Sequence, residues 1–355
     1  MSMPSLLDLT TLSPQDRTLL KVVLKGRSVI DSPRLHLTSA DETREFLKVN
    51  EFDISKPKDL ERLQDIHLEA VSYLQRELKF EIAPELLDPG KILDLFLIAS
   101  SLKDRNLQKQ ACAVLKTMNI VNHIDGRELL YNCPISLRDL FSLAEDKVER
   151  SLSVLQRSTG ASASGGGLTP LLRYTGGRKP KESVVTKLLC KRETIAAQVY
   201  DRVRYRIVTR RREDIGAVLL HLFRTVLPFN YVIPGASVNQ LLTTGGGERL
   251  KKNLQSLKKA LSKTSWTSSG TMEYSGRNYK VCKFVVDIPV RMDNFLAQTG
   301  SAPYRESLGT IAYVLVEFQI VDEKTDASNN AGESSHERYK ARQKRGVLRR
   351  LTGRP

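Results

Sequence analysis

The chain has 355 residues, 40% of them hydrophobic, and a formal net charge of +16 at pH 7. That is enough apolar material to fill the core of one large domain or of two smaller ones. The charge excludes a neutral surface and favours polyanionic partners such as nucleotides, RNA, DNA or anionic lipid, with a solvated basic surface and a basic tail as the alternative.

Cysteine spacing and hydropathy exclude several further classes of protein. The four cysteines are Cys112, Cys133, Cys190 and Cys282. They include no C-x-x-C pair, so neither a zinc site nor a disulfide framework is indicated. No apolar run approaches the ~20 residues of a membrane span, and the N-terminus lacks a charged segment followed by an apolar one. We therefore expect a soluble, cytoplasmic protein with no membrane partner.

Residues 1–155 have a helical pattern. Apolar residues recur at three- and four-residue spacings in residues 59–78, 90–102, 107–120 and 137–155, which predicts amphipathic helices there. Ser13 and Ser136 each precede a turn that bears an acid, which predicts helix starts. His67 and His123 lack the adjacent His-Asp pair or the H-E-x-x-H spacing of a metal hydrolase, so packed or helix-capping histidines are the favoured interpretation.

The second half alternates predicted strands and helices, which is typical of an α/β or α+β protein with a mixed sheet. A Gly/Ser-rich stretch at 156–170 fits either a plain linker or a mobile loop beside an active site. Gly176 and Gly177 predict a turn. Residues 341–355 are expected to form a disordered basic tail, since residues 338–354 hold eight Lys or Arg and no acid. The predicted strands cover residues 171–174, 203–208, 229–233, 278–290 and 311–321, and the predicted helices cover residues 182–199, 215–225 and 250–261.

Residues 171–208 have the composition of a polyphosphate site. Ser183, Lys187 and Lys191 are four residues apart, so they share one face of the predicted helix. Asp201 begins the next strand, and alternation places Glu317 on one face of the 311–321 strand, away from its apolar face. If the two carboxylates lie opposite each other, they could hold Mg²⁺ while the lysines neutralise phosphates. The residues alone leave a nucleotide site and a structural ion-pair network equally open.

Residues 177–191 place Lys179, Ser183, Lys187, Leu188 and Lys191 at the spacing of a family motif. They match, without a gap, the pattern R-x-K-S-x-x-S-I-x-x-K-L-x-x-K, which is the ATP-binding motif of RelA/SpoT-type alarmone synthetases. The resemblance extends over about residues 136–340. Residues 200–208 are similar to the family's D-x-x-G-x-R-I-V strand, residues 229–234 to F-K-D-Y-I-x-x-P, residues 316–320 to V-E-I-Q-I-R-T and residues 336–340 to H-W-x-Y-K.

The resemblance implies a mixed-sheet synthetase domain of the nucleotidyltransferase type (136–340). With the N-terminal all-helical region (1–135) that the apolar periodicity predicts, the expected class is α+β. The same resemblance implies ATP- and Mg²⁺-dependent transfer of pyrophosphate from ATP to a ribose 3′-hydroxyl, as in the alarmone synthesis of the stringent response. The helical region lacks the histidine and aspartate pattern of the hydrolase domain that often accompanies such a synthetase.

The resemblance also implies roles for individual residues. Asp201 and Glu317 would hold Mg²⁺, Glu317 would alternatively take the proton from the acceptor hydroxyl, and Gln319 would orient the acceptor. The residues that would bind the ATP phosphates are Lys179, Lys181, Ser183, Lys187, Lys191, Arg206 and His336.

The acceptor half departs from the family pattern. The motif N-G-Y-Q-S-L-H-T has two possible registers, residues 237–244 and residues 277–284. The second keeps Tyr279 and has Lys283 in place of the histidine, and we favour it because a long strand follows. The acceptor is then a guanine nucleotide or, given the positive charge, the 3′ end of tRNA. A catalytically inactive nucleotide- or RNA-binding regulatory protein is the alternative.

Overall fold

The computed structural model describes residues 13–133, 135–157, 170–190, 202–242, 279–299, 307–331 and 336–352. A helical N-terminal region is followed by a five-stranded mixed sheet with helices, which confirms the expected α+β class. The helices are α1 (Pro14–Lys25), α2 (Ala40–Val49), α3 (Pro57–Arg76), α4 (Ile92–Ser100), α5 (Arg105–Asn132), α6 (Leu137–Arg157), α7 (Lys181–Cys190), α8 (Asp214–Thr225), α9 (Asp293–Thr299), α10 (Glu323–Asn330) and α11 (His336–Thr352).

The sheet has the strand order β1-β2-β5-β4-β3. The strands are β1 (Leu171–Arg178), β2 (Val203–Thr209), β3 (Val238–Asn239), β4 (Cys282–Arg291) and β5 (Ile311–Asp322). Strands β2 and β5 are parallel, whereas the β1–β2, β5–β4 and β4–β3 pairs are antiparallel. The central strand β5 is therefore hydrogen-bonded on both sides, and its polar side chains project from the middle of the sheet.

Local signals account for the helices that the sequence predicts. The Ser13 hydroxyl accepts a hydrogen bond from the Asp16 amide at 3.1 Å, and Ser136 accepts one from the Asp139 amide at the same distance. Each serine thus satisfies an amide that the first helical turn leaves without a partner. The predicted segment 107–120 belongs to the longer helix α5, which continues to Asn132.

One face of the sheet is apolar. The rings of Tyr205, Phe318 and Phe284 stack across β2, β5 and β4, with centroids 5.9 and 5.3 Å apart. Phe223 of α8 packs on Phe284 at 5.4 Å, and the Tyr205 hydroxyl donates to the carbonyl of Glu145 in α6. Burying these rings against α6 and α8 stabilises the sheet on this side.

Helix α5 covers one end of the opposite face. Gly126 lets it approach closely, because a Cβ there would lie 2.4 Å from the Tyr313 ring and 2.6 Å from the Ile311 carbonyl oxygen. Asn122 donates to the hydroxyls of Tyr313 at 2.6 Å and Tyr231 at 3.1 Å. Burial raises the pKa of Tyr231 to about 12, so this hydroxyl stays protonated at physiological pH.

Charged groups continue the same contact. Asp287 of β4 is fully buried, accepts a hydrogen bond from His123 Nε2 at 2.8 Å and forms an ion pair with Arg127. His123 is therefore packed against the sheet, as expected. One buried apolar cluster runs through the helical region and the sheet together, and the domain division at residue 135 stays a prediction.

Three segments differ from the sequence prediction. Gly176 and Gly177 lie within strand β1 and do not form a turn; at Gly176 a Cβ would come within 2.3 Å of the Tyr205 ring. Residues 229–231 form a 3-10 turn in place of a strand. After the turn, Val232 bridges to Val286, and the Ile233 amide donates to the Val285 carbonyl at 2.9 Å.

The C-terminal segment is helical where a disordered tail was expected. Residues 341–352 continue helix α11, which packs on α7. The Cys190 thiol donates to the Gln343 carbonyl at 3.2 Å, and Arg350 donates to the Leu189 carbonyl. Tertiary packing thus orders a segment whose composition alone is typical of disorder. The predicted helix 250–261 and residues 158–169 of the Gly/Ser-rich stretch lie outside the described residues.

His67 is a core histidine with a pH-dependent consequence. It is 1% exposed, its Nε2 lies 2.9 Å from the Leu86 carbonyl oxygen, and its Nδ1 has no partner. Burial lowers the pKa of His67, and burial likewise lowers the pKa of His221. The unfolded chain therefore binds protons at these positions, at a pKa of about 6.5, before the folded protein does.

We expect the free energy of unfolding to be highest above that pKa and to fall as the pH drops from about 7.5 to about 5.5. Urea titrations at the two pH values measure this change. The His67→Gln/His221→Gln double variant should lose less stability over the same range. An equal loss in both proteins would show that these histidines do not set the pH dependence.

Among the helices that the structure describes, none combines the length and hydropathy that crossing a membrane requires.

Candidate active site

The part of the polar sheet face beyond helix α5 brings together side chains from three strands. Arg204 and Arg206 of β2 stand opposite Glu317 and Gln319 of β5, and Lys283 of β4 stands opposite Gln319. Residues paired across neighbouring strands present their side chains on the same face. The register therefore places a carboxylate and an amide among three cations.

Glu317 is the central acid of this cluster. Its residue is 6% exposed, Oε1 accepts a hydrogen bond from Gln319 Nε2 at 2.7 Å, and Oε2 lies 3.8 Å from Lys283 Nζ. Glu317 thus lies away from the apolar face of its strand, as alternation predicts, and Gln319 shares its face. Val316 and Phe318, on the other face, are fully buried. Among the described residues, the ionic neighbour of Oε2 is Lys283, and Oε2 makes no hydrogen bond.

Arg206 links Glu317 to the rest of the site. Its Nη1 donates to Gln319 Oε1 and to the Tyr279 hydroxyl, both at 3.2 Å. Its Nε and Nη2 donate to Asp326 Oδ1 at 2.9 and 2.6 Å. These four hydrogen bonds fix the guanidinium plane, so that the charge is oriented before any anion arrives.

Asp326 is a site residue that sequence reasoning missed. It is 3% exposed, and it also forms an ion pair with Arg173 of β1. One buried carboxylate therefore holds two arginines from neighbouring strands. The sequence signal that could have identified Asp326 is its place as an acid in the first turn of the helix that directly follows the strand of Glu317.

Asp322 positions Asp326 by starting helix α10. Its carboxylate accepts hydrogen bonds from the Thr325 amide at 3.0 Å and the Thr325 hydroxyl at 2.6 Å. Burial acts to raise the pKa of Asp322, but the hydrogen bonds from Thr325 and the nearby Arg212 outweigh it, so the pKa lies below its ordinary value. The ionised cap thus keeps the α10 N-terminus beside β2 and β5.

The predicted phosphate-binding segment lies at the other edge of the sheet. The Lys179 amide donates to the Arg202 carbonyl at 2.8 Å, directly after the end of β1. Lys179, Ser183 and Lys187 are partly exposed, and Lys181 is exposed. Strand β1 is two strand spacings from β5, about 10 Å. Strand β2, with Arg204 and Arg206, lies between the two.

Several predicted site residues cannot be placed beside this cluster. Asp201 and Lys191 lie outside the described residues, and for His336 only the backbone is described, at the start of α11. The pairing of Asp201 with Glu317 therefore stays a prediction, as do the roles of Lys191 and His336.

The two candidate acceptor registers are neighbours in the sheet. Val238 of β3 pairs with Lys283, and Asn239 pairs with Cys282. In the second register, Tyr279 contacts Arg206 and Lys283 lies near Glu317. In the first register Asn239, which stands in place of the motif's tyrosine, donates to the Leu242 carbonyl at 2.8 Å. The register of the acceptor motif stays a prediction.

Mg²⁺ fits the chemistry of this site. In the described part of the chain no group of three or more His, Cys, Asp or Glu side chains could enclose a metal ion. Mg²⁺ in phosphate-transfer sites needs only one or two carboxylates, because substrate phosphates and water supply its other oxygens. Glu317 is the described carboxylate that could serve in this way, and its role as a Mg²⁺ ligand stays a prediction.

The sequence matches no protein-family model and no curated protein. Solved structures provide the only comparisons. The small alarmone synthetase 1 from Bacillus subtilis bound to its product pppGpp is 18% identical over 61% of this chain and 88% of that chain, with a TM-score of 0.32. The same synthetase bound to AMPCPP is 16% identical over 61% of this chain and 90% of that chain, with a TM-score of 0.30. A GTP pyrophosphokinase family protein from Streptococcus pneumoniae is 14% identical over 60% of this chain and 86% of that chain, with a TM-score of 0.29.

These similarities are distant both in sequence and in structure.

Proposed function

We propose that this protein is an ATP- and Mg²⁺-dependent pyrophosphokinase. The acceptor is the ribose 3′-hydroxyl of a guanine nucleotide or of the 3′ end of tRNA. The observation that carries the proposal is the chain of contacts from Lys283 through Glu317, Gln319 and Arg206 to Tyr279. It joins the predicted catalytic acid to the predicted phosphate-binding and acceptor-binding residues.

The reaction moves the β,γ-pyrophosphoryl group as a unit. The acceptor oxygen forms a bond to the β-phosphorus of ATP, the bond from that phosphorus to the α,β-bridging oxygen breaks, and AMP leaves. The hydroxyl proton passes to Glu317 Oε2, with Gln319 holding the carboxylate through Oε1. Arg206 is fixed by Asp326, so it neutralises charge on the transferring phosphates without reorganising.

Mg²⁺, when bound, would neutralise phosphate charge and orient the polyphosphate. Asp201 would hold it while Glu317 takes the proton. In the alternative role Glu317 would hold the metal together with Asp201, and the hydroxyl proton would leave through solvent. Lys179, Lys181, Ser183, Lys187, Lys191 and His336 would bind the remaining phosphate oxygens. Tyr279 and Lys283 would contact the acceptor.

A protein that binds nucleotide or RNA without catalysis is the second candidate. Helix α11 favours this second candidate. Residues 336–350 of the helix include seven Lys or Arg and one acid, Glu337. A basic helix of this kind binds phosphate backbones through charge, so RNA affinity should fall steeply between low and moderate salt. Catalysis, if present, is independent of that property.

Incubation with ATP labelled at the γ-phosphate tests the proposal. GDP, GTP, other nucleotides and bulk tRNA serve as acceptors, and the products are separated by chromatography. We expect label to move onto one acceptor class in the presence of Mg²⁺ and to stay on ATP when the metal is chelated. If no acceptor leads to consumption of ATP, while nucleotide or RNA binding is measurable, the protein binds its ligand without catalysing this reaction.

A further inference from the structure

Arg204 is an exposed arginine in the middle of the sheet. Strand β2 is paired with β1 on one side and with β5 on the other. Within this strand Arg204 is exposed, whereas the other six residues are buried or half-buried. An exposed side chain adds little packing to a strand, so stability does not account for an arginine here. A glycine stands at this position in the pattern D-x-x-G-x-R-I-V, so the family resemblance implies no role for Arg204.

The charge of Arg204 is not compensated by a described acid. Glu317 stands directly opposite it on β5, yet the described contacts of the Glu317 carboxylate are with Gln319 and Lys283. The Arg204 guanidinium forms no hydrogen bond and no ion pair with a described residue. Arg206, two residues away on the same face, makes four hydrogen bonds. An exposed guanidinium without an acid, beside a second arginine, favours an anionic ligand.

Open space lies beside Arg204 on the β1 side. Gly177 is its partner in the register of β1 and β2, and a Cβ at Gly177 would meet no atom within 4 Å. Gly177 and Thr175, which share one face of β1, are both exposed. Lys179, two residues beyond Gly177, is the first of the predicted phosphate-binding residues. A polyphosphate that runs from Lys179 across Gly177 therefore comes next to Arg204 before it reaches Glu317.

We propose that Arg204 binds the β-phosphoryl group of the donor nucleotide, which is the group that the acceptor hydroxyl attacks. This role rests on the proposed function, in which Glu317 takes the proton of that hydroxyl and the attacked phosphorus lies beside the acceptor oxygen. Arg204 is one strand spacing, about 4.8 Å, from Glu317 across the sheet. Its guanidinium donates two hydrogen bonds to non-bridging oxygens of the β-phosphoryl group, and so stabilises charge on the group during transfer.

Isothermal titration calorimetry of the full chain with Mg²⁺ tests this contact without turnover. AMPCPP, an ATP analogue with a methylene group in place of the α,β-bridging oxygen, carries a β-phosphoryl group, whereas AMP has none. We expect Arg204→Gln to weaken AMPCPP binding at least tenfold and to leave AMP binding unchanged. Arg204→Lys keeps the charge but loses the paired hydrogen bonds, so it should bind AMPCPP several-fold more weakly than the wild type does.

Arg210→Gln is the matched control. Arg210 is exposed directly after the end of β2, about 20 Å along the strand from Arg204, so the change should leave both affinities as in the wild type. Absence of AMPCPP binding in the wild type, equal AMPCPP affinity in the wild type and Arg204→Gln, or an equal loss for AMPCPP and AMP would overturn the proposal.

The transfer assay separates this proposal from the proposed function. Arg204→Gln should lower kcat at least tenfold while the KM for the acceptor is unchanged, and Arg210→Gln should equal the wild type. If Arg204→Gln transfers pyrophosphate as fast as the wild type, the role of Arg204 is refuted and the proposed function stands. If the wild type transfers nothing while its AMPCPP binding depends on Arg204, the proposed function fails and the phosphate contact stands.

Discussion

Replacing Glu317 by Gln is expected to lower pyrophosphate transfer from ATP at least about 100-fold, because a positioned acid–base group contributes a factor of about 10²–10⁴. The amide keeps the shape of the side chain but removes its charge, its proton affinity and one oxygen ligand for Mg²⁺. ATP binding should persist, since Lys179, Lys187 and Arg206 are unchanged. Rate is measured by label transfer, and ATP affinity by equilibrium dialysis.

The matched control is Glu323→Gln, an exposed glutamate six residues further along the chain. It has no predicted role at the site, so its transfer rate should equal that of the wild type. If Glu317→Gln and Glu323→Gln are equally active, Glu317 is not catalytic. If Glu317→Gln also loses ATP binding, its role is in donor binding.

Gly126→Ala should destabilise the protein by about 1–3 kcal/mol, the range for overpacking a filled contact. In an ordinary helix interior the same change stabilises by roughly 0.5–1 kcal/mol, because alanine has the higher helix propensity. Here the new Cβ would lie 2.4 Å from the Tyr313 ring and 2.6 Å from the Ile311 carbonyl. Neither group can move freely, since both belong to the central strand, so the clash outweighs the propensity gain.

Chemical denaturation measures this effect. Gly177→Ala is the control, because a Cβ there meets no atom within 4 Å, and its stability should stay within about 0.5 kcal/mol of the wild type. A stable Gly126→Ala protein would mean that α5 is not closely packed on β5. The link from the helical region to the strand of Glu317 would then fail.

Much of the fold could be predicted from short-range pattern. Ser13 and Ser136 start helices as their spacing predicts, and alternation along β5 separates buried Val316 and Phe318 from Glu317 and Gln319. These features depend on neighbours a few residues away, so the sequence contains the whole signal.

The errors arise where distant residues decide. Gly176 resembles a turn residue, yet it lies in a strand because the Tyr205 ring of the neighbouring strand needs the space. Helix α11 has the high net charge and low apolar content that are typical of disorder, and its contacts with α7 stabilise it. Local composition does not determine contacts of this kind, between two strands or between two helices.

The site residues also divide into those that a local pattern predicts and those that depend on distant contacts. A motif resemblance could name Arg206, Glu317 and Gln319, because each stands at a fixed place in a short pattern. Asp326 was missed, since its importance comes from holding Arg206 and Arg173, which are more than a hundred residues earlier in the chain. Register between β2 and β5 decides that contact.

The most direct measurement of the proposed chemistry is the identity of the nucleotide that remains when ATP is consumed. Phosphorus NMR of a reaction with Mg²⁺ and the responsive acceptor distinguishes attack at the β-phosphorus from attack elsewhere. We predict AMP in an amount equal to the pyrophosphorylated acceptor. ADP, or free pyrophosphate with AMP attached to the acceptor, would contradict pyrophosphate transfer and show a different reaction at this site.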